Sequence, residues 1–209
     1  MAYLKRQAAS KKLPIERKGT TYVAKAMSHY KSAIPVSIAV RDLLHLARTT
    51  REVKLMIKDK KLKINGKPVK TCRDSIRLFN IFEADKHYYL TLLPTGKMTL
   101  AYSKDKNRIC KVTGKKILKG SKIQLNLHDG SNILSNEPIK INDTILLSPE
   151  GKIKDKISFS KGKKAIIISG KHAGSFGKIE DMQENNIKIA FENKEGSAVI
   201  GKDRVILHE

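Results

Sequence analysis

Short turn signals recur every eight to twelve residues in this chain from residue 76 onward. The turn "PTGK" separates "HYYLTLL" from "MTLAY", "HDGS" follows "KIQLNL", and "PEGK" follows "DTILLS". Turns at this spacing are typical of short strands that follow one another in a meander. Residues 86–158 are therefore predicted to form a β domain.

The last fifty residues continue this pattern around a loop rich in glycine. Five short β segments follow one another there: "KAIIIS", "GKIEDM", "NIKIAF", "SAVI" and "RVIL". Five strands around one corner loop predict a small SH3-like barrel over residues 159–209. We expect Gly170, Gly174 and Gly177 to supply the positive φ angles of tight β corners, since glycine has no Cβ. The loop also carries three side chains able to contact RNA phosphates: Lys171, His172 and Lys178.

The same loop does not fit a nucleotide-binding loop. A Walker loop needs G-x-x-x-x-G-K followed by Ser or Thr. Here Ile179 follows the Gly-Lys pair, and His172 stands where the first glycine is required. The dinucleotide fingerprint G-x-G-x-x-G fails because Gly170 and Gly174 are four residues apart. The segment that follows is a turn and a strand, whereas phosphate loops use the start of a helix.

Upstream, the segment "IPVSIAVRDLLHLA" has a helical period. Its apolar residues recur every three or four positions and predict one buried face: Val36, Val40, Leu43, Leu44 and Ala47. Another face is cationic: Arg41, His45 and Arg48.

A second helix is predicted to begin directly afterwards. "TTRE" is a capping box, with Thr49 as the N-cap and Glu52 three residues later. The helix that follows has an apolar face made of Val53, Met56 and Ile57. Its cationic face is made of Arg51, Lys54 and Lys58.

The two helices lead into "KLKINGKPVKT", which predicts a hairpin. Asn65-Gly66 is the strongest short-range signal for a two-residue hairpin turn. Pro68 cannot donate a hydrogen bond to a neighbouring strand, so the returning strand is predicted to lie at a sheet edge. Cations recur on both helices and on the hairpin, which favours a binding surface over a merely solvated face.

The net charge of the chain indicates a polyanionic partner. The 209 residues include 43 Lys and Arg against 20 Asp and Glu, a net charge of +23. Such an excess repels itself in a compact fold, and nucleic acid is the partner most able to neutralise it. Residues 1–35 are basic and lack an apolar period, so this arm is expected to be poorly ordered until it meets nucleic acid. The alternative is a tail without a partner.

Other kinds of chemistry are not indicated. Cys72 and Cys110 are isolated, which fits neither a zinc site nor a disulfide framework and suggests two reduced thiols. The six histidines are scattered singly, and the sequence contains no nucleophile with a nearby base. The first residues lack the apolar core of a signal peptide, and no apolar run is long enough to span a membrane. A soluble intracellular protein is expected.

Two segments together resemble a known family. "GKKAIIISGKHAGSFGKIEDM" is similar to a KOW motif, and "IPVSIAVRDLLHLA" with "REVKLMIKDKKLKINGKPVKT" resembles the small helix–helix–hairpin S4-type RNA-binding module. In this order, with the basic leader "LKRQAA" and the intervening "EPIKINDTILL", they resemble the archaeal and eukaryotic small-subunit ribosomal protein family S4e. The likeness extends over essentially the whole chain. Because the sequence stops soon after "RVIL", it looks closer to archaeal members than to eukaryotic ones, which continue into a basic tail.

The resemblance implies an α+β fold, mostly β, in four segments. These are a basic N-terminal arm (1–35), an S4-like RNA-binding module (36–85), a central β domain (86–158) and a KOW SH3-like barrel (159–209). It also implies a structural component of the small ribosomal subunit in the cytoplasm. Its partners would be small-subunit rRNA and neighbouring ribosomal proteins. No enzymatic activity, cofactor, metal, small-molecule substrate, membrane or homo-oligomer is expected.

The expected RNA-binding residues come from the resemblance and from the charge pattern. The family motifs match Arg41, Arg48, Arg51, Lys54, Asn65, Gly66, Gly170, Lys171, Gly174, Gly177 and Lys178. Charge and position add Lys5, Arg6, Lys11, Lys12, Arg17, Lys18, Lys58, Lys61, Lys63, Lys67 and His172. Few residues are aromatic and none is Trp, so recognition is expected to use RNA shape and backbone more than base stacking.

Two other classes of protein remain as alternatives. A KOW-containing transcription elongation factor would need a domain that contacts polymerase, and no segment is left over for one. An RNA-modifying enzyme such as a pseudouridine synthase would need a large catalytic domain with an active-site aspartate. The residues after the helical module consist of small β units without such a site.

Overall fold

The computed structural model describes residues 3–118, 122–192 and 196–208. The chain divides into two compact units, Met1–Lys106 (unit 1) and Asn107–Glu209 (unit 2). The predicted segments also include residues 1, 2, 119–121, 193–195 and 209, which lie outside the described residues. Short strands dominate both units, with a few short helices, which confirms the prediction of a mostly β chain.

Unit 1 contains nine strands and two short α-helices in its described part. The strands are β1 Tyr3–Lys5, β2 Tyr22–Ala24, β3 Ala33–Pro35, β4 Lys63–Ile64, β5 Lys67–Pro68, β6 Ser75–Arg77, β7 Ile81–Glu83, β8 His87–Leu92 and β9 Met98–Tyr102. The helices are α1 Val36–Ile38, which continues into a π-helical turn Ala39–Leu43, and α2 Thr50–Lys58; a 3-10 turn covers Arg6–Ala8. Strands β1 and β2 pair with each other, as do β3 and β6, and the five-stranded sheet has the order β5-β4-β7-β8-β9.

The N-terminal segment is part of the folded unit, which differs from the expected arm. Leu13 is buried in the core of unit 1, and the backbone N–H of Met98 donates to the carbonyl of Lys12 (2.8 Å). The Arg6 guanidinium donates to the carbonyl oxygens of Glu16 and Thr20, which holds the loop between β1 and β2. The apolar residues that anchor this segment have no regular spacing, so the sequence pattern could not reveal their burial.

The first helix is shorter than its apolar period predicts. It ends after the π-helical turn, and His45 takes a left-handed φ of 54°. The prediction of one helix reaching Ala47 was therefore wrong, because the chain direction changes at His45 while the apolar spacing continues. The predicted apolar face still packs in the core: Val36, Val40 and Ala47 are buried, and Leu43 and Leu44 are partly buried.

The capping box at the start of α2 is confirmed. Thr49 Oγ1 accepts from the backbone N–H of Glu52 (3.3 Å), and the Thr49 hydroxyl donates to Glu52 Oε1 (2.9 Å). Glu52 reaches one residue further back than a standard box, since its Oε2 accepts from the Arg48 N–H (2.8 Å). The bonds from the Arg48 backbone and the Thr49 side chain lower the pKa of the Glu52 carboxyl.

The Asn-Gly hairpin is confirmed as well. Asn65 and Gly66 have φ angles of 51° and 77°, the two positive values that a type I′ turn requires. Asn65 Oδ1 also accepts from the N–H of Ile81 (2.9 Å), which ties the turn to β7. Pro68 lies in β5 at the edge of the sheet, as predicted.

The predicted boundary at residue 85 falls inside this five-stranded sheet. The hairpin strands β4 and β5 share the sheet with β8 and β9, which lie beyond that boundary. The boundary between the two units comes after Lys106. The predicted segments 36–85 and 86–158 are joined by hydrogen bonds between β7 and β8, and β7 also pairs with β4, which is more distant in sequence. The spacing of residues along the chain does not predict such bonds. The four-segment division remains a prediction.

Unit 2 contains two five-stranded antiparallel sheets in its described part. The first has the order β12-β11-β10-β13-β14, with β10 Arg108–Ile117, β11 Ile123–Leu127, β12 Asn132–Ser135, β13 Thr144–Leu147 and β14 Ile153–Ile157. The second has the order β18-β17-β16-β15-β19, with β15 Lys164–Ile167, β16 Phe176–Met182, β17 Asn186–Phe191, β18 Ser197–Gly201 and β19 Val205–Leu207; a 3-10 turn covers Lys202–Arg204. The five predicted C-terminal strands are all present, and their description as a KOW SH3-like barrel remains a prediction.

A buried lysine joins the two sheets of unit 2. The Lys111 side chain on β10 is only 1% exposed, and its Nζ donates to the carbonyls of Val205 (2.9 Å) and Lys202. Burial lowers the pKa of Lys111 to about 8, against the opposing influence of Asp203. Two backbone carbonyls therefore solvate an ammonium group that has been removed from water.

None of the helices in the described residues is long and apolar enough to cross a membrane.

We predict that Lys111→Met removes a rise in the free energy of unfolding between pH 8 and pH 10.5, the folded and ordinary pKa values of this group. In that window the folded chain has released the Lys111 proton and the unfolded chain still holds it, so raising the pH favours the folded state. The shift corresponds to roughly 3 kcal/mol. Chemical denaturation of both chains across this pH range measures the difference.

Lys116→Met is the matched control, because Lys116 is exposed on the same strand. It should keep the pH dependence of the unmodified chain. Equal pH profiles for the unmodified chain and Lys111→Met would show that burial does not depress the pKa of Lys111.

Candidate nucleic-acid interface

Unit 1 has a groove of about 1690 Å³ whose lining includes eight Lys and Arg residues, and we call it the unit 1 groove. Its walls come from the β1–β2 ribbon and the loop between those strands, from the first helix and its π-helical turn, and from α2. Six of the predicted RNA-binding residues line it: Arg6, Lys18, Arg41, Arg48, Lys54 and Lys58. The fold thus brings together cations from three separate stretches of the sequence.

Several groove residues were missed by the sequence analysis. Lys70 and Arg73 line the groove after the hairpin, and Tyr3 and Tyr22 line it from the β1–β2 ribbon. Lys70 and Arg73 belong to the same cation-rich stretch of sequence as the helices and the hairpin. They do not share the helical spacing of the other cations, so the spacing did not select them. The tyrosines could not be found from spacing, because the pairing of β1 with β2 brings them into the groove.

The positive charge of the groove is only partly compensated. Glu16 and Asp42 are the carboxylates among its described lining residues. Asp42 accepts from Arg41 at both oxygens, with Arg41 Nε at 2.7 Å from Oδ1 and Nη2 at 2.9 Å from Oδ2. These hydrogen bonds raise the pKa of Arg41. A bidentate pair also fixes the orientation of the guanidinium.

Lys54 and Lys58 are two exposed cations of the groove that come from the same helix. Both are exposed on α2, and no carboxylate pairs with either of them among the described residues. They lie four residues apart, on the same side of the helix as the groove-lining Ile57. The neighbouring Arg51 was predicted to share their face, but it is not among the residues that line the groove.

Ten predicted residues lie elsewhere on unit 1: Lys5, Lys11, Lys12, Arg17, Arg51, Lys61, Lys63, Asn65, Gly66 and Lys67. Lys5 is on β1, and Lys11, Lys12 and Arg17 lie between β1 and β2. Lys61 is exposed and forms an ion pair with Asp59 (3.5 Å). The other hairpin residues surround the Asn-Gly turn. Contact of each of these residues with RNA remains a prediction.

Unit 2 has a smaller hollow beside the glycine-rich loop. Its volume is about 540 Å³, and it is lined by Gly170, Lys171 and His172 together with Asn185, Asn186 and Arg204. The His172 ring packs against the Phe191 ring with centroids 4.9 Å apart. The three predicted residues are thus joined by amides and an arginine that the sequence analysis did not select.

The three glycines of the loop have two different physical roles. Gly170 and Gly174 have φ angles of 97° and 87°, as predicted for tight β corners. Gly177 does not have a positive φ, so that part of the prediction was wrong. A Cβ at position 177 would collide with the carbonyl oxygen of Ala190 and the side chain of Ile189. Gly177 is therefore required by the close approach of β16 and β17, and the exposed Lys178 follows it on β16.

Both cysteines are free thiols. Burial raises the pKa of Cys110 to about 12, and it also raises the pKa of Cys72. Both thiols are therefore protonated at neutral pH and weakly reactive. Within the described residues no cluster of three His, Cys, Asp or Glu could hold a metal ion.

Comparison with known proteins identifies the family. A family model described as "Ribosomal family S4e" matches residues 84–153. The chain is 33% identical over 189 residues to the small ribosomal subunit protein eS4 of Methanocella arvoryzae, covering 87% of this chain and 81% of that protein. It is 35% identical to the eS4 protein of Methanospirillum hungatei, covering 85% and 78%. The chain belongs to the S4e family of ribosomal proteins.

A solved S4e structure has the same fold. The crystal structure of the 30S ribosomal protein S4e from Thermoplasma acidophilum superposes with a TM-score of 0.69 at 26% identity. The superposition covers 84% of this chain and 94% of that one. The family predicted from the KOW-like and S4-like segments is thus confirmed. Membership of a family of structural ribosomal proteins also confirms that the S4e chain is not an enzyme.

We predict that Gly177→Ala lowers the free energy of unfolding by about 2–3 kcal/mol, because the added methyl forces β16 and β17 apart. Gly114→Ala is the control, since Gly114 also lies in a strand without a positive φ, and its added Cβ would meet Asn126 at an ordinary 3.6 Å. The control should change stability by less than about 1 kcal/mol. Thermal and chemical unfolding measure both variants. Equal effects of the two substitutions would contradict the role assigned to Gly177.

Proposed function

We propose that this chain, a structural protein of the small ribosomal subunit, binds small-subunit rRNA chiefly through the unit 1 groove. The observation that carries this proposal is the excess of cations over carboxylates in the groove lining. Lysines and arginines that neutralise phosphates release the counterions condensed on RNA, which supplies affinity that falls with salt. The net charge of +23 supports a polyanionic partner for the chain as a whole.

Different groove residues would do different work. Arg41 is oriented by Asp42, and Arg6 is engaged with Glu16 and Thr20, so these two shape the groove more than they contribute free charge. Lys54 and Lys58 are exposed and would supply phosphate contacts. The groove would thus combine oriented guanidinium groups with exposed ammonium groups.

The hollow of unit 2 would be a second contact with rRNA. Lys171 and Arg204 line it together with the amides of Asn185 and Asn186 and the carboxylate of Asp203, which is 4.0 Å from Arg204. The two cations exceed the one carboxylate, and the amides can also bind phosphate and sugar oxygens. This part of the proposal takes the C-terminal sheet as a KOW barrel and residues 36–85 as an S4-like module. Contacts with neighbouring ribosomal proteins and a place in cytoplasmic ribosomes belong to the same proposal.

The alternative of a transcription elongation factor is not favoured. Its only support was the KOW-like segment, and the relatives that cover most of the chain are named as small ribosomal subunit proteins. The same relatives argue against an RNA-modifying enzyme.

We predict that Lys54→Gln with Lys58→Gln weakens binding to small-subunit rRNA and flattens its salt dependence. Loss of two phosphate contacts should reduce the slope of log K against log salt by roughly 1.5. Filter binding to transcribed small-subunit rRNA over a series of KCl concentrations measures the slope. Arg51→Gln is the control, because it removes one charge from the same helix at a residue that does not line the groove. If Arg51→Gln reduces the slope of log K against log salt by as much per removed charge as the lysine variant does, the groove position of Lys54 and Lys58 does not matter. Helix α2 would then act on RNA only through its overall charge.

The same variants can be followed in cells. A tagged copy of the unmodified chain is expected in the small-subunit peak of a sucrose gradient, including after a high-salt wash. The Lys54→Gln, Lys58→Gln chain should be lost from that peak at lower salt than the Arg51→Gln chain. Recovery of the unmodified chain at the top of the gradient would contradict stable membership of the subunit.

A further inference from the structure

Two exposed tyrosines line the unit 1 groove. Tyr3 is 66% exposed and Tyr22 is 58% exposed, although an aromatic ring gains from burial. Both residues line the groove together with the cations of the helices.

The β1–β2 ribbon places the two rings on one face. Tyr3 pairs with Ala24 and Lys5 pairs with Tyr22, so all four side chains point to the same side of this two-stranded ribbon. Tyr3 and Tyr22 occupy diagonal positions, about 7–8 Å apart. Lys5 lies directly across from Tyr22 and two residues from Tyr3 on β1, although it is not among the residues that line the groove. A cation and two exposed aromatic faces therefore form one short platform.

A polar group in the groove lining also lacks a partner. Ser37 is 4% exposed, and its Oγ makes no hydrogen bond among the described residues. A buried hydroxyl without a partner is costly, and in native proteins it is often completed by a bound group. Ser37 lies in the same groove as the tyrosines. A ligand rich in hydroxyl and carbonyl groups would suit this position.

We infer that the unit 1 groove holds an unpaired stretch of RNA, with bases stacked on Tyr3 and Tyr22 and phosphates against the lysines. This inference rests on the proposed function and specifies the form of RNA that the groove accepts. Bases in a duplex are stacked on one another and offer no free face, whereas unpaired bases stack readily on aromatic side chains. Exposed aromatic faces beside a cationic groove are the combination used to bind single strands. The sequence-based expectation that stacking is minor is revised for this one site.

The test uses the full chain and a fluorescent single strand. The probe is an oligouridylate with one central 2-aminopurine, whose fluorescence falls when its base stacks on an aromatic ring. The unmodified chain should bind this strand with quenching, and it should bind the duplex formed with the full complement without further quenching. Binding of the single strand without any change in fluorescence would overturn the inference, whatever the variants do.

Substitution of the rings gives the second readout. Tyr3→Leu with Tyr22→Leu should weaken single-strand binding by roughly fivefold to 150-fold for each base that stacks, and should abolish quenching. Duplex binding should not change. Tyr3→Phe with Tyr22→Phe should restore both affinity and quenching, since the aromatic face and not the hydroxyl is required. A Phe variant that behaves like the Leu variant would contradict stacking.

Two controls separate this inference from the proposed function. Tyr102→Leu removes a tyrosine that is 59% exposed on β9 of the same unit but does not line the groove, and it should bind like the unmodified chain. The Lys54→Gln, Lys58→Gln chain should bind both RNA forms more weakly. If only the lysine variant loses affinity, the stacking inference is wrong and the groove proposal stands. If neither variant loses affinity, the groove proposal is also wrong.

Discussion

The insertion of Leu13 into the core of unit 1 is the interaction on which the proposed interface depends. It anchors the segment between β1 and β2, while Arg6 holds the loop of that segment through backbone carbonyls. One wall of the groove consists of this segment and the ribbon beside it. Without the anchor, the helical cations would lie on an open surface, and Tyr3 and Tyr22 would have no fixed position. A few buried apolar contacts thus turn a basic tail into one side of a groove.

Cations have two opposite physical roles in this protein. Most are exposed, repel one another and gain stability from a polyanion, which is why a net charge of +23 suits a ribosomal protein. Lys111 is removed from water and satisfied by two carbonyls, so it holds the two sheets of unit 2 together instead of facing RNA. Arg41 is intermediate, since Asp42 orients it within the groove. Counting charges in the sequence cannot separate these roles, because they are set by burial and by the atoms nearby.

The family resemblance rests on some features that form through local hydrogen bonds and on others that depend on a neighbouring strand. The Asn65-Gly66 turn and the Thr49 cap are local, and both formed as predicted because their hydrogen bonds join residues close in sequence. The glycines of the C-terminal loop were selected for one reason, but they serve two. Gly170 and Gly174 permit a backbone turn, while Gly177 permits two strands to approach. Only the second role needs the partner strand to be known.

The sequence by itself determined the mostly β fold, the positions of the five C-terminal strands and of α2, the polyanionic partner and the S4e family. The fold and the class of partner follow from local turn chemistry, apolar period and net charge, and the family follows from the resemblance of two motifs. None of these requires knowledge of distant contacts. Tertiary structure alone decided the end of the first helix at His45, the burial of Leu13 and Lys111, and which residues line the unit 1 groove. It added Tyr3, Tyr22, Lys70 and Arg73 to the groove and left Arg51 outside it. Each of these outcomes depends on which residues distant in sequence come into contact, and that information is carried by strand pairing and core packing, not by spacing along the chain.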